Sequence, residues 1–376
     1  MYKRRIGALL VAMLVAACNT AGTSTAPSAV APASEPPASA PAASEPAASA
    51  PAESVAPSAA TAEKCTGQEL RFILSFIPNV QHAGFLVASK RGYYEDEGIT
   101  VNIEPAGPNV DPVSAVGDGS AQLGQVDYGQ LLRARQAGVP IKSIGQTYKD
   151  SFLLWFAAKD SGVASVADWA GKTVGQIQVG ESPESDAMLA AAGLTPDAIT
   201  ETQQDFGIED YTAGKVEVGT GVVFFHPASF NGQTDMQWPD DFNVFTPDDN
   251  GAPIASQTIA VNEETLTNDP AALRCFLRAS VRGWQATFAD PAAAVDDVMT
   301  FIPEGAIPRE HQAAAITDVL PIVGTGADDD LLKIDPAQYE ESIRILQSIQ
   351  YLEGEVAAAD TFDASIYDTM GPVPAP

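Results

Sequence analysis

The sequence predicts an α/β protein of two lobes, each a mainly parallel sheet flanked by helices. Three observations lead there. Short apolar, β-rich runs alternate with helix-like stretches, the pattern of repeated strand–helix–strand units. A second such series begins near Gly162, and the chain comes back near Ile254 to Val261. Setting aside a low-complexity N-terminal region leaves roughly 310 residues, Cys65 to Pro376, enough for two lobes. Ligands of such sheets bind beyond the carboxyl ends of the strands.

The elements follow in order. Leu70 to Phe76 is an apolar strand run. His82 to Tyr94 reads as a helix, with Phe85, Ala88 and Ser89 on one face and Gly92 near its end. Ile99 to Ile103 alternates like a strand. Val110 to Gly117 reads as a helix closed by the Gly117-Asp118-Gly119 turn. Gln122 to Val126 is a short strand, Tyr128 to Ala137 a helix stopped by Gly138, and Ile141 to Thr147 and Phe152 to Ala157 are further strands. In the second series, Thr173 to Gln176 is a strand. The loop Gly180 to Ser185 enters a helix, Asp186 to Ala192, and Gly193 stops it. Val216 to Phe225 is strand-like. Asp269-Pro270 opens a long amphipathic helix, Ala271 to Ala289, and helices dominate from there to Tyr351. The chain is expected to cross between lobes near Phe156 to Lys159 and near Ser256 to Val261.

The N-terminus reads differently. Lys3, Arg4 and Arg5 precede an uncharged apolar run, Ile6 to Ala17, which ends in small residues before Cys18. That is the layout of a secretory signal, too short to span a bilayer at about 20 residues. It resembles a bacterial lipoprotein signal, in which the cysteine takes a lipid. From Asn19 to about Ala62 the chain is almost all Ala, Pro, Ser and Thr with sparse glutamates. Such a segment buries too little apolar surface to order itself, and its prolines favour an extended spacer. The expected division is 1–17 signal, 18–66 lipidated cysteine and stalk, 67–157 first lobe, 158–257 second lobe, and 258–376 return to the first lobe plus C-terminal helices.

The formal net charge is -29, from 20 basic and 49 acidic residues. Phosphate contact needs clustered Lys and Arg, so nucleic acid is excluded as a partner. With Cys18 lipidated, Cys65 and Cys275 remain as a pair in an exported domain, either a disulfide or two unpaired thiols. Neither cysteine has metal-ligand spacing to His82, His226 or His311. No metal, cofactor or catalytic residue is expected.

The stretch Leu74 to Ala88 (LSFIPNVQHAGFLVA) resembles the opening of the substrate-binding proteins of ABC importers. The nearest branch binds pyrimidine precursors of thiamine and is related to nitrate, sulfonate and taurine binders. Arg91 to Ile99, Arg133 to Pro140, Ala170 to Gly175 and Phe276 to Pro291 carry the same resemblance. It implies a periplasmic-binding-protein fold of type II with a ligand cleft between lobes, and delivery of a small heteroaromatic ligand to a permease with its ATPase subunits. A monomer tethered by lipid outside the cytoplasm is the form it implies.

Site candidates come from both readings. Asn79 and His82 follow a β-run and Pro78 at a helix start, where polar atoms and helix amides can meet a ligand. The residues alone allow Asn79 to be a helix cap and His82 a satisfied surface residue; the resemblance implies ligand contact. Phe76 stands where this branch usually has tryptophan, and can stack on a planar ligand or simply pack the core. Tyr128 and Tyr148 end first-lobe strands and are similar candidates. Gly180, Ser182 and Ser185 lie in a loop before a helix, suited to an oxygen ligand or to an ordinary cap. Phe225 and His226 end a second-lobe run that should face the cleft. There the branch commonly has an acidic residue for an aminopyrimidine; here the chain reads Val222 to Pro227 (VVFFHP), which suits a flatter, more apolar ligand such as a flavin. Nitrate, sulfonate or taurine is a further alternative.

An enzyme is the reading from another class. A pyrimidine synthase of the same fold resembles this chain around His82 and the Gly180 loop. That enzyme needs a lysine for pyridoxal phosphate and a cysteine-rich segment. Between Arg71 and His82 there is no lysine, and the chain has no cysteine cluster.

Overall fold

The structure, a computed structural model, describes residues 64–107, 110–177, 182–327 and 330–376. The expected signal, Cys18, nearly all of the stalk and Gly180 lie outside the described residues. The first sheet contains β1 (Gln68–Ile73), β2 (Ile99–Glu104), β3 (Leu123–Asp127), β4 (Ile141–Gln146) and β10 (Gln257–Asn262), in the order β2-β1-β3-β10-β4. β1 runs parallel to β2 and β3, whereas β10 runs antiparallel to both β3 and β4. The sheet is therefore mixed rather than mainly parallel, because the returning strand enters it reversed between β3 and β4.

In the second lobe β5 (Leu153–Ala158) lies between β8 (Gly219–Val222) and β9 (Phe242–Phe245), antiparallel to both. β6 (Thr173–Gln176) and β7 (Thr200–Gln203) pair in parallel and join β8 through a Val174–Val218 bridge. This corrects the expected boundary at 157/158. The chain leaves the first sheet after Gln146, and β5 already belongs to the second. The return leaves β9 at Phe245 and enters β10 at Gln257. The crossings are thus 147–152 and 246–256. An apolar run shows that a strand is buried and carries no label for the sheet that buries it.

Helices cover both sheets. The first lobe has α1 (Ala83–Lys90), α2 (Tyr93–Asp96), α3 (Pro112–Gly117) and α4 (Tyr128–Gln136); the second has α5 (Pro183–Ala191), α6 (Glu209–Thr212) and α7 (His226–Gln233). The C-terminal part is helical: α8 (Glu263–Asn268), α9 (Pro270–Ala289), α10 (Pro291–Met299), α11 (Arg309–Val323), α12 (Pro336–Ser348) and α13 (Ser365–Asp368). The helix expected over 82–94 is two, because Gly92 takes a left-handed φ of 74° between α1 and α2. α5 starts at Pro183, three residues earlier than expected, with Ser182 in the cap position. Proline suits the first helical turn, where no amide hydrogen is needed.

The first-lobe core is built where α9 crosses β1 and α1. The Phe72 ring lies 5.0 Å from Phe85 and 5.1 Å from Phe276, edge to face in both cases. Gly84 and Gly283 let α1 and α9 approach: a Cβ on the first would strike the Trp284 ring, and one on the second the Gly84 carbonyl. Cys65 and Cys275 form a disulfide, with Cα atoms 6.4 Å apart. It ties the segment before β1 to α9.

Candidate ligand-binding cleft

A cavity of about 810 Å³ lies between the two sheets. Its first-lobe wall follows from strand alternation. Gln125 and Asp127 are two apart on β3 and share a face, and Gln257 on β10 is the cross-strand partner of Asp127. All three line the cavity, with Phe76, Ser75 and Gln81 from the segment after β1. Asp127 also caps α4, its Oδ1 accepting from the Gly129 amide at 2.9 Å.

The second-lobe wall is more aromatic. Leu153 and Trp155 on β5 are in register with Val222 and Thr220 on β8, and all four line the cavity. Phe152 and Phe224 stack with ring centres 5.9 Å apart. Phe206 reaches across to Phe76, with centres 5.5 Å apart. Ser182 and Glu184 come from the start of α5. Arg133 lines the cavity as well, its guanidinium 5.0 Å from the Tyr351 ring centre.

The electrostatics are acidic. Burial and the nearby charge of Asp127 push the Glu184 carboxyl up to about 8. Burial pushes Asp127 up to about 7, against the backbone amides it caps. Burial likewise raises the Tyr351 phenol.

Among the candidates, Phe76 and Ser182 line this cavity. The others stand behind it or elsewhere. Asn79 spends its side chain on its own turn: Oδ1 accepts from Gln81 N at 2.7 Å, and Nδ2 donates to Ile77 O at 3.0 Å. His82 is fully buried, and its Nδ1–H donates to Gln125 Oε1 at 2.6 Å. Burial outweighs that bond and holds the imidazole down at about 3, so it is neutral. Tyr148 donates its hydroxyl to the Gln81 carbonyl at 2.7 Å. Thus His82 and Tyr148 position the wall residues Gln125 and Gln81. Tyr128 opens α4 instead of ending a strand, and its ring stacks on Tyr339 at 3.8 Å in the core. Ser185 is buried and accepts from Gln176 Nε2 at 2.9 Å. Phe225 packs against Phe206 and His311, at 5.0 and 5.1 Å. His226 is buried at the start of α7, its Nδ1 accepting from Val222 N at 3.0 Å, with burial lowering it to about 4.

The sequence reading missed Gln125, Asp127, Gln257, Trp155, Phe206 and Glu184. Asp127 could have been found: it follows a β-run and precedes a helix, the position beyond a strand's carboxyl end. Among the described residues no cluster of three or more His, Cys, Asp or Glu could hold a metal ion, and no helix is long and apolar enough to cross a membrane.

Residues 79–294 match the family model described as NMT1/THI5 like. The chain is 32% identical over 266 residues to the riboflavin-binding protein RibY of Chloroflexus aurantiacus, covering 66% of this chain and 71% of that one. It is 25% identical over 310 residues to the formylaminopyrimidine-binding protein of Halalkalibacterium halodurans, covering 79% and 90%. The periplasmic aliphatic sulphonate binding protein SsuA of Escherichia coli superposes with a TM-score of 0.60 at 16% identity, covering 78% of this chain and 92% of that one. The fold is that of the periplasmic binding proteins.

Proposed function

This chain belongs to the NMT1/THI5-like family, and on that premise we propose that it is the extracytoplasmic binding component of an ABC importer, capturing a flat heteroaromatic vitamin or vitamin precursor. The observation that carries this is the cleft between the sheets, walled by Phe76, Phe152, Phe206, Phe224 and Trp155, with Gln125, Asp127, Gln257 and Glu184 as polar lining. Small-molecule sites are concave, mostly apolar and provided with a few placed polar groups. The volume of about 810 Å³ favours a multi-ring flavin over a single pyrimidine, and the apolar lining of Val222 and Phe224 points the same way. A relative named for riboflavin binding and one named for formylaminopyrimidine binding support both ligand types. Against the enzyme reading, the described cavity wall offers no lysine for pyridoxal phosphate.

Calorimetry against riboflavin, formylaminopyrimidine, thiamine and taurine is the direct test. A flat heteroaromatic should bind, and Phe76→Ala should weaken it about tenfold, ~1.4 kcal/mol for a lost ring contact. Binding of taurine or nitrate alone, or an unchanged affinity in Phe76→Ala, would refute the aromatic-cleft reading. Tethering rests on Cys18: a Cys18→Ser variant should leave the membrane fraction or remain uncleaved. Retention of a correctly processed variant would sink the anchor.

A further inference from the structure

We propose that Asp127 and Glu184, with Gln125 and Gln257 beside them, form the polar anchor of the cleft: a subsite for the N–H-bearing edge of an uncharged or cationic heterocycle that excludes anionic ligands. The proposal deepens the reading of the cleft as a heteroaromatic site and rests on it.

Gln125, Asp127 and Gln257 share one face of the first sheet, while Glu184 comes from α5 of the second lobe. All four line the same cavity. The protein leaves the two amides incompletely satisfied. Gln125 is 0% exposed and gives its oxygen to His82, leaving its Nε2 without a partner. Gln257 is 5% exposed, and its Oε1 has no partner. Buried amide donors and acceptors are nearly always paired, so an unpartnered donor and acceptor in two residues that line one cavity mark a wall completed by something else. Neither carboxyl has an ion pair among the described residues; the nearby cation, Arg133, lies over Tyr351.

The groups around the pair sharpen its chemistry. Tyr339 and Tyr351 sense the charge of Asp127, while Asp127, Asp186 and Asp248 act on Glu184. Asp111, the cap of α3, lines the same cavity. The surroundings are negative: burial raises both carboxyls, and the charge of Asp127 raises Glu184 further, so the pair favours holding a proton. A sulfonate or nitrate placed there adds a further negative charge. An uncharged heterocycle instead adds no charge: its ring N–H donates to the carbonyl oxygen of a carboxyl that keeps its proton, and the carboxyl O–H donates back to a ring oxygen or nitrogen.

The pair also links binding to protons, with a sign that reports ligand charge. Around an uncharged ligand the raised carboxyls keep their proton, so affinity is full at low pH and falls as pH rises through about 7 to 8. A cationic ligand replaces the proton, and its affinity rises over the same range.

The test has a ligand-free arm and a ligand arm. In protein carrying ¹³C-labelled Asp and Glu carboxyls, the two highest titration midpoints should lie above pH 6. One should vanish in Asp127→Asn, which keeps the helix cap, and the other in Glu184→Gln. In wild type, riboflavin affinity should fall between pH 6 and 8.5 by up to about tenfold per unit, the limit for one proton per ligand. The double variant should flatten that slope, and taurine and nitrate should not bind to wild type. Riboflavin binding without a pH slope, together with carboxyl midpoints below pH 5, overturns the anchor and leaves the cleft reading standing. High midpoints without binding of riboflavin or formylaminopyrimidine overturn the cleft reading, not the anchor. Taurine or nitrate bound beside an intact carboxyl pair overturns the anchor.

Discussion

His82 shapes the cleft without lining it. Its Nδ1–H occupies the Gln125 oxygen and so turns that amide's donor end free. The Nδ1–H donates in either protonation state, and burial keeps the imidazole neutral down to about pH 3. The stability consequence has a definite sign. The unfolded chain binds a proton at His82 near pH 6.5 and the native state does not, so this contribution is lost as pH falls from about 6.5 towards 3. Replacing His82 by Gln removes the titration. The stability gap between wild type and His82→Gln should therefore shrink by about 2 kcal/mol at most between pH 6.5 and 5, read from denaturant unfolding. A constant gap would mean that His82 titrates normally. At this scale the sequence was partly legible. Phe76 was visible because the resemblance puts it where the branch usually has tryptophan, although the residues alone left core packing equally open. Glu184 was not, and Asp127 only by its place between a β-run and a helix, because a carboxylate at a helix start reads first as a cap. Only the packing of two lobes shows that both face one cavity.

Elements were more legible than their partners. Most strands and helices were readable to within a few residues, since alternation and turn residues are local. The pairing of β5 with β8 and the reversed entry of β10 were not, since both depend on contacts far apart in sequence. The α1–α9 contact is of the same kind. In sequence, Gly283 is a mid-helix glycine, costing about 1 kcal/mol of helix propensity relative to alanine, and Gly84 lies in the first turn of α1. In the fold they are where two helices touch. Alanine at either site gains propensity and loses the contact, and the contact should win. Each of Gly84→Ala and Gly283→Ala should destabilise by about 1–3 kcal/mol, the usual cost of overpacking, seen as a lower midpoint in thermal or urea unfolding. A stabilised variant would show that the helices can separate without loss.

At the scale of the molecule, two lobes were foreseen from the repeated alternation, and the crossings were misplaced because a crossing is a property of pairing. The corrected crossings, 147–152 and 246–256, separate the lobes' work from their anchorage. The Cys65–Cys275 bond lies wholly on the first-lobe side, joining the segment before β1 to α9, and neither cysteine lines the cavity. It closes a loop of sequence separation 210, for which chain entropy gives roughly 5 kcal/mol, often less in practice. That stabilisation acts on the unfolded chain and leaves the cleft geometry unaltered. A ligand, by contrast, stabilises whichever lobe arrangement lets it touch both walls. The two effects should therefore separate. Reduction of the bond, or Cys65→Ser with Cys275→Ser, should lower the melting temperature markedly while leaving riboflavin affinity at 20 °C within about twofold, because that change corresponds to only ~0.4 kcal/mol. The shift in melting temperature produced by saturating riboflavin should survive reduction. Loss of affinity in the reduced, still-folded protein would show that the first lobe needs the bond to hold β3 and β10 in place, and that stability and recognition are not separable here.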